Sequence, residues 1–456
     1  MVDINLILEY YMETYGSNQE YMLNYFNDDQ NVVPIYQRES ASPLKESTHT
    51  NVHINYFEDI ISRKVGYAGQ DIEFVDSSDT YQEELDKMLL ETNAIVGNSE
   101  TMALTSIQGI SHRLCYTEDG VFKTKNLEGQ SVVYEWDNDI FNPERAYYFY
   151  RETGMDGSYI DKCNVYDKKM VTYWFKDEAK KNATNNQTQE GKYIPYGEEQ
   201  PHNFNQVPII PFMNNSGWKS DCWDTTKLMD VYDEVISDTA GELKAARLAY
   251  LKIWGDLHTG DDRYGNEIPI PNYLQQFGTM IFGTDDLGNQ MGDAQFLEKK
   301  LDDTAIQNML KDLRSHIYEL SGSIDLKQLT DASSARVFTI KAALLRLENT
   351  SKVTENYMKQ GFRKQMKLWA YWMSEFSNLA INVDDIEIKF NRSFITDDKE
   401  KSEVLALLLN TMSKVDAYTE AGYKNPAALA ERFEEEIGNL DDYAEVKLDV
   451  VEDVEE

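Results

Sequence analysis

The chain has 456 residues, 41% hydrophobic and 27% charged, with a mean hydropathy of −0.58. That describes a folded chain of two or more lobes and excludes a spanning apolar helix, since the greasiest run, residues 404–409, is far too short to cross a bilayer. Eighty acidic against 44 basic residues leave a net charge of −36 and a pI near 4.5, which excludes a protein that grips nucleic acid with its whole surface. The three cysteines, Cys115, Cys163 and Cys222, are odd in number and form no CxxC pair, so neither a disulfide framework nor a zinc site is expected and a reducing compartment is. The opening residues carry no basic segment followed by an apolar run, so no signal peptide is expected. So acidic a surface fits either plain solubility or a polyanion passing close by without sticking, and composition does not separate the two.

A short helix is expected from Leu6 to Tyr15, then an irregular arm holding Pro34 and Pro43. A helix over residues 56–64 stops where Gly66 and Gly69 fall. Another helix, about 80–97, precedes short strands, for which the runs 147–150 and 171–175 are aromatic and β-branched. Residues 180–197, rich in Asn and Gln, read as a solvent loop. Three long helices follow. The first, about 224–251, carries Leu228, Val231, Val235, Thr239, Leu243 and Ala246 at steps of three and four. A Gly- and Pro-rich insert with a strand at 279–282 separates it from the second, about 302–320, which Gly322 should stop. The third, about 335–378, would be roughly 65 Å long at ~1.5 Å per residue, with a kink at Gly361 or at 349–351. A strand at 386–390, a helix at 399–412, a turn at Asn425-Pro426 and a helix to about 437 lead to an acidic tail expected to be disordered.

Asp230, Glu234, Asp238 and Glu242 recur every four residues on the first long helix. Like charges so spaced each cost an isolated helix about 0.2–0.5 kcal/mol, so the stripe does not serve the helix itself. It is a solvated face, a set of partners for basic residues of another subunit, or the lining of an aqueous channel, with Asp224 and Asp233 adding to the acidity. The third helix is basic: Arg336, Lys341, Arg346, Lys352, Lys359, Arg363, Lys364 and Lys367 outnumber Glu348, Glu355 and Glu375. Docking against acidic surfaces, within the chain or between subunits, is the leading reading, with DNA contact the alternative. Its aromatic end (Phe362, Trp369, Tyr371, Trp372, Phe376) is read as core.

Enzymatic motifs are missing: there is no GxxxxGK[ST], GxSxG or HExxH. The six histidines do not fall at metal-ligand spacing. Residues 261–267 faintly resemble a calcium loop but lack the alternating aspartates and distal glutamate, so a turn before Pro269 is expected. No catalytic residue, metal or cofactor is expected.

The order of segments resembles one family. Ile54-Asn55-Tyr56, Ile60-Ile61, Lys64-Val65-Gly66-Tyr67 and Gly69 are similar to an N-terminal signature of portal proteins from long-tailed phages of Gram-positive hosts. Residues 207–215 (VPIIPFMNN) resemble that family's Pro-Ile-Ile-Pro-Phe-x-Asn-Asn, which leads into a helix with a Tyr-Asp pair and a Ser-Asp, here Tyr232-Asp233 and Ser237-Asp238. Ser413-Lys414, Asn425-Pro426 and Glu434-Glu435-Glu436 resemble its ending, so the likeness spans about residues 50–440.

The resemblance implies a mostly helical α+β fold with wing, stem, clip and crown. Residues 1–50 would be an N-terminal arm, 51–223 wing, 224–251 and 301–320 stem helices, and 252–300 the clip. Residues 321–334 would be a tunnel loop, 335–396 a long wing helix and strand, 397–440 the crown and 441–456 the tail. It implies a structural ring subunit, usually one of twelve, through which double-stranded DNA is packaged and ejected. Asp230, Glu234, Asp238, Glu242 and Lys327 would line the tunnel. Asp261, Asp262, Arg263, Tyr264 and Tyr273 of the clip would dock the terminase large subunit and later a head-completion or adaptor protein. Major capsid and scaffolding proteins would be further partners, no membrane would be involved, and the ring would be built in the host cytoplasm and reside at the capsid vertex of the virion. The competing readings are another structural virion protein, such as an adaptor, and a metal-dependent enzyme.

Overall fold

The computed structural model describes residues 3–29, 32–34, 51–78, 80–136, 139–177, 180–181, 188–189, 191–246, 250–255, 292–297, 303–325, 327, 337–392 and 413–420, with 405, 430 and 432. The chain divides into two units, Met1–Asn391 and Arg392–Glu456. In the second, the helix Lys414–Glu420 is capped by Ser413, whose Oγ accepts from the Asp416 amide at 3.3 Å. The helices expected at 399–412 and up to 437, and the acidic tail, fall almost wholly outside the described residues.

The first unit opens with α1 (Ile4–Tyr11), a π-turn (Met12–Gly16) and α2 (Ser17–Phe26). The helix thus runs past the end expected at Tyr15, because Gln19, Met22 and Tyr25 continue its buried face. α3 (Tyr56–Ala68) starts at Asn55, whose side chain accepts from the Glu58 amide at 2.9 Å, and ends at Gly69. Gly66 does not stop it: one interior glycine costs about 1 kcal/mol, less than burying Tyr56, Phe57, Ile60 and Ile61 on one face returns. β1 (Asp71–Asp76) follows, and then two helices replace the single one expected over 80–97. α4 (Gln82–Glu91) and α5 (Ala94–Gln108) are separated by Asn93 at φ 50°, a left-handed conformation Asn tolerates.

β2 (Ile110–Glu118) and β3 (Val121–Leu127) form a hairpin, and β4 (Val132–Glu135), β5 (Arg145–Thr153), β6 (Tyr159–Tyr166) and β7 (Met170–Lys176) form a meander. β8 (Lys180–Lys181) pairs β9 (Thr188–Gln189), and β10 (Tyr193–Pro201) completes a five-stranded sheet of order β10-β7-β6-β5-β4. Residues 193–197 are therefore strand rather than the expected loop, since Tyr196 packs on Tyr173 and Phe175 across the β10–β7 ladder. β11 (Ile209–Met213) joins the hairpin in a second sheet, order β11-β2-β3.

α6 (Thr226–Ala246) and α7 (Asp303–Leu320) flank β12 (Tyr250–Gly255) and β13 (Gly292–Leu297), an antiparallel pair. Residues 256–291 between these strands, with the strand expected at 279–282, lie outside the described residues. α8 (Val337–Ser377) is one 41-residue helix, about 62 Å long at ~1.5 Å per residue. β14 (Ile386–Asn391) then returns to pair antiparallel with β1 across more than three hundred residues of sequence, Asp71 opposite Asn391. Among the described residues no helix is long and apolar enough to cross a membrane.

α8 organises the main core. Met358, Phe362, Met366, Trp369 and Trp372 lie on one face and pack with Phe74, Phe122, Phe204 and Phe212. Phe362, Trp369 and Trp372 are core as expected, but Phe376 is half exposed and Tyr371 only partly buried, so the end of the helix leaves the core. Gly361 does not interrupt the helix; it lets Phe212 close on it, and a Cβ there would stand 2.7 Å from the ring. Beneath this contact lies Arg113, 1% exposed. Its guanidinium donates to Asn126 Oδ1 (2.9 Å), Asn98 Oδ1 (2.8 Å), Gln365 Oε1 (2.7 Å), the Gly97 carbonyl (2.9 Å) and Thr101 Oγ1, and it faces the rings of Phe212 and Phe362. Burial lowers its pKa to about 10, so the group stays charged at neutral pH.

Replacing Gly361 with Ala sets a helix-propensity gain of about 1 kcal/mol against an overpacking loss of about 1–3 kcal/mol. With Phe212 pinned by Arg113 the loss should prevail, and G361A is expected to unfold at lower urea concentration than the parent. A midpoint equal to or above the parent's would show that the ring can move aside.

Candidate functional site

The acidic stripe sits on α6, which packs alongside α7. Both helices pack their apolar faces against α3 and α2: Met229, Tyr232, Ile317 and Tyr318 are buried with Tyr56, Phe57, Ile60 and Tyr25. Tyr56 meets Tyr232 and Tyr318 edge-on at ring separations of 5.1 and 5.8 Å.

Four-residue steps on a helix of 3.6 residues per turn drift by about 40° each, so the stripe winds rather than staying on one line. Its members consequently face different surroundings. Asp230 is half buried and accepts from the Tyr25 hydroxyl at 2.8 Å. Burial raises its pKa, with Asp233 adding to the shift and Tyr25 and His53 opposing it. Glu234 is exposed and Asp238 partly so. Glu242 belongs to the helix, but its side chain lies outside the described residues.

Asp233, counted above among the acids of an open face, is instead buried. One of its oxygens lies 2.5 Å from His53 Nδ1 and the other accepts from the Ile54 amide at 3.2 Å. The second ring nitrogen of His53 is 2.9 Å from Asp28. One turn on, Ser237 Oγ accepts from the Val52 amide (2.9 Å) and donates to its carbonyl (3.2 Å). Residues 52–54 are thus stitched to α6 through side chains some 180 residues away. Sequence reasoning missed His53 and Tyr25 as partners of the stripe, since neither sits in a motif pointing at α6.

Beyond α7 the first residues of the expected tunnel loop are clamped, and Ser321, Ser323, Ile324 and Asp325 are buried. Gly322, at φ 69°, closes the helix, as its position predicts. Arg314 donates to both oxygens of Asp325 (2.7 and 2.8 Å), and Arg63 donates to the Ile324 carbonyl (3.1 Å). Burial works to raise the Asp325 pKa, but Arg314 and the Lys327 amide overcome it and hold the carboxyl below its ordinary value. Lys327 is exposed directly after this anchor. Residues 326 and 328–334 lie outside the described residues, as do Asp261, Asp262, Arg263, Tyr264 and Tyr273.

Two of the residues that carried the resemblance, Lys64 and Asn214, meet at a second joint. Lys64 of α3, 2% exposed, donates to Asp221 (2.7 Å), Asn214 (3.0 Å) and Thr354 of α8 (2.7 Å). Asn214 in turn donates to Asp221 and to the Lys219 carbonyl. These motif positions hold elements together and make no open chemical site. Among the described residues no group of three or more His, Cys, Asp or Glu side chains could hold a metal ion.

The His53 bridge makes stability depend on pH. Its hydrogen bond to Asp233 raises its pKa, against the opposing effect of burial, and Asp28 adds to the rise. A raised folded value means the contribution is fully present below the unfolded value of about 6.5 and is lost as pH rises through the folded one. His53→Gln should therefore cost on the order of 1–2 kcal/mol at pH 5.5, with the difference from the parent narrowing at pH 8.5. Thermal melts at the two pH values check this; a difference that grows with pH would exclude the bridge.

The chain matches the family described as phage portal protein, SPP1 Gp6-like, over residues 7–438. It is similar to a portal protein of Bacillus phage SPP1, 22% identical over 448 residues, 94% of this chain and 84% of that one. It is also similar to a portal protein of Clostridium phage phiCD119, 24% identical over 205 residues, an alignment spanning less than half of either chain, 44% of this one and 42% of the other. Among solved structures it resembles a chain from the neck of a native GTA particle computed with C12 symmetry, at 13% identity and a TM-score of 0.41, covering 79% of this chain and 89% of that one. With the family matched along nearly its whole length, the chain belongs to the SPP1 Gp6-like phage portal proteins.

Proposed function

We propose that the protein is a structural subunit of the head-to-tail connector of a phage, closing into a ring through which double-stranded DNA is packaged and ejected. The observation that carries this reading is the family match over residues 7–438, which leaves little of the chain for another activity. The helix pair α6–α7 is the stem. Residues 51–223, with α8 and β14, are wing; 252–300 are the clip; 321–334 are the tunnel loop; and 397–440 are the crown. The stem assignment is supported by apolar residues the single chain leaves in water, Val231 and Leu243 on α6 and Met309 and Leu320 on α7, which a ring neighbour would cover. Twelve subunits is the expected ring size, with a terminase large subunit and later a head-completion protein docking at the clip, at the capsid vertex.

Of the acidic stripe, Glu234 is the best tunnel-facing candidate, since it is exposed while Asp230 is tied to Tyr25. A net charge of −36 per subunit would repel a duplex and avoid the phosphate contacts that release counterions and hold DNA in place. Lys327, on the anchored start of the loop, is the cation placed to touch the passing backbone.

Negative-stain microscopy with mass photometry tests the ring: annular particles at twelve or thirteen times the 52.7 kDa subunit mass are expected. Particles without a central hole would overturn it. In rings that do form, Glu234→Lys should slow DNA packaging several-fold without changing particle mass; packaging at the parental rate would remove Glu234 from the tunnel.

A further inference from the structure

One face of α8 breaks with the charge of the rest of the chain. Lys352, Asn356, Lys359, Gln360, Arg363 and Lys367 all reach its surface, Lys359 only in part. At 3.6 residues per turn these six positions fall within an arc of about 100° and run about 22 Å along the helix. No acidic residue shares the arc. Glu348 borders it, held by the Tyr67 hydroxyl (2.8 Å) and by Lys352 (3.1 Å), and Glu355 is only 7% exposed. In a chain with 80 acidic residues, neither Arg363 nor Lys367 forms an ion pair among the described residues. Beside them Lys364 is buried and donates to two neutral acceptors, Asn142 Oδ1 (2.9 Å) and Gln206 Oε1. Burial, with Lys367 adding and Asp139 opposing, lowers its pKa to about 8. At neutral pH it therefore stays mostly charged and adds to the positive field of the stripe.

The composition of the stripe says what it suits. Between Val353 and Phe376 the helix exposes no large hydrophobic side chain. A protein partner is held at an apolar core depleted in lysine, whereas interfaces with nucleic acid are more polar and far more positive. Arginine, lysine, asparagine and glutamine are side chains that donate to phosphate oxygens. The net charge of −36 does not cancel the patch, because at physiological salt exposed charges farther away than about 8 Å are largely screened.

We infer that this face of α8 is a contact surface for the phosphate backbone of double-stranded DNA, held without regard to base sequence through Lys359, Arg363 and Lys367. The inference rests on the connector reading above. To a subunit whose surface otherwise repels a duplex it adds one face that retains it.

The test is fluorescence anisotropy of a short labelled duplex titrated with the full chain across about 50 to 200 mM salt. Three phosphate contacts predict an affinity that falls about forty-fold over that range. Arg363→Gln combined with Lys367→Gln should make the slope of log affinity against log salt shallower by about two, at the parental melting temperature. Lys87→Gln combined with Lys168→Gln changes the net charge equally at two other exposed lysines and should leave the slope as it was. Equal slopes for the parent and both variants overturn the inference, and so does a control that loses as much slope as the stripe variant. A parent that does not bind the duplex at about 50 mM salt overturns it as well. If the stripe variant then also forms lighter particles by mass photometry, an acidic surface of a neighbouring copy covers this face instead. Microscopy judges the ring without DNA, so rings that fail to bind remove this contact and leave the connector reading in place.

Discussion

A buried guanidinium can be tolerated only if every one of its donors finds an acceptor, and in this chain all the hydrogen-bonding acceptors around Arg113 are neutral. They come from β3, the start of α5 and the middle of α8, while Arg113 itself belongs to β2. The faces of Phe212 and Phe362 close over the charge at 5.1 and 5.5 Å. Removing any one of these elements would strand a charge in the core, so they must assemble together. The requirement orders the unit: α8 must cross the β11-β2-β3 sheet where Gln365 and Phe362 meet Arg113, and Gly361 permits the approach.

The same logic recurs at Lys64, where Asp221 supplies the compensating charge and Asn214 and Thr354 take the remaining donors. That joint binds α3 and α8 to the segment leading into α6. It thereby sets where the helix pair leaves the body of the chain. The Arg314–Asp325 fork and the His53 bridge then fasten the far side of the pair. The function proposed for α6 and α7 therefore depends on polar contacts between the pair and the rest of the chain.

The acidic stripe shows how tertiary context reassigns residues that look alike in sequence. Asp230, Asp233 and Glu234 are near neighbours, yet Asp233 holds a histidine in the interior, Asp230 accepts from a tyrosine and Glu234 faces water. Apolar steps of three and four defined the helix but not the direction in which each acid points, because successive acids face different neighbours around the helix.

The sequence by itself determined the family, the α+β class and the order of the long helices, because amphipathic periodicity over twenty or more residues and an ordered set of short motifs are local signals. α6, α7 and α8 lie within a few residues of their expected limits, and β5 and β7 are where aromatic and β-branched runs placed them. Expectation failed where the deciding contact was distant. α1 and α2 continue past Tyr15, Gly66 stays helical and β10 is a strand, because burial against elements far away in sequence outweighed local propensity. Tertiary structure alone decided that Lys64 and Asn214 of the family's motifs form a joint, since they and their partner Thr354 lie 140 to 290 residues apart in sequence and meet only when the chain has folded.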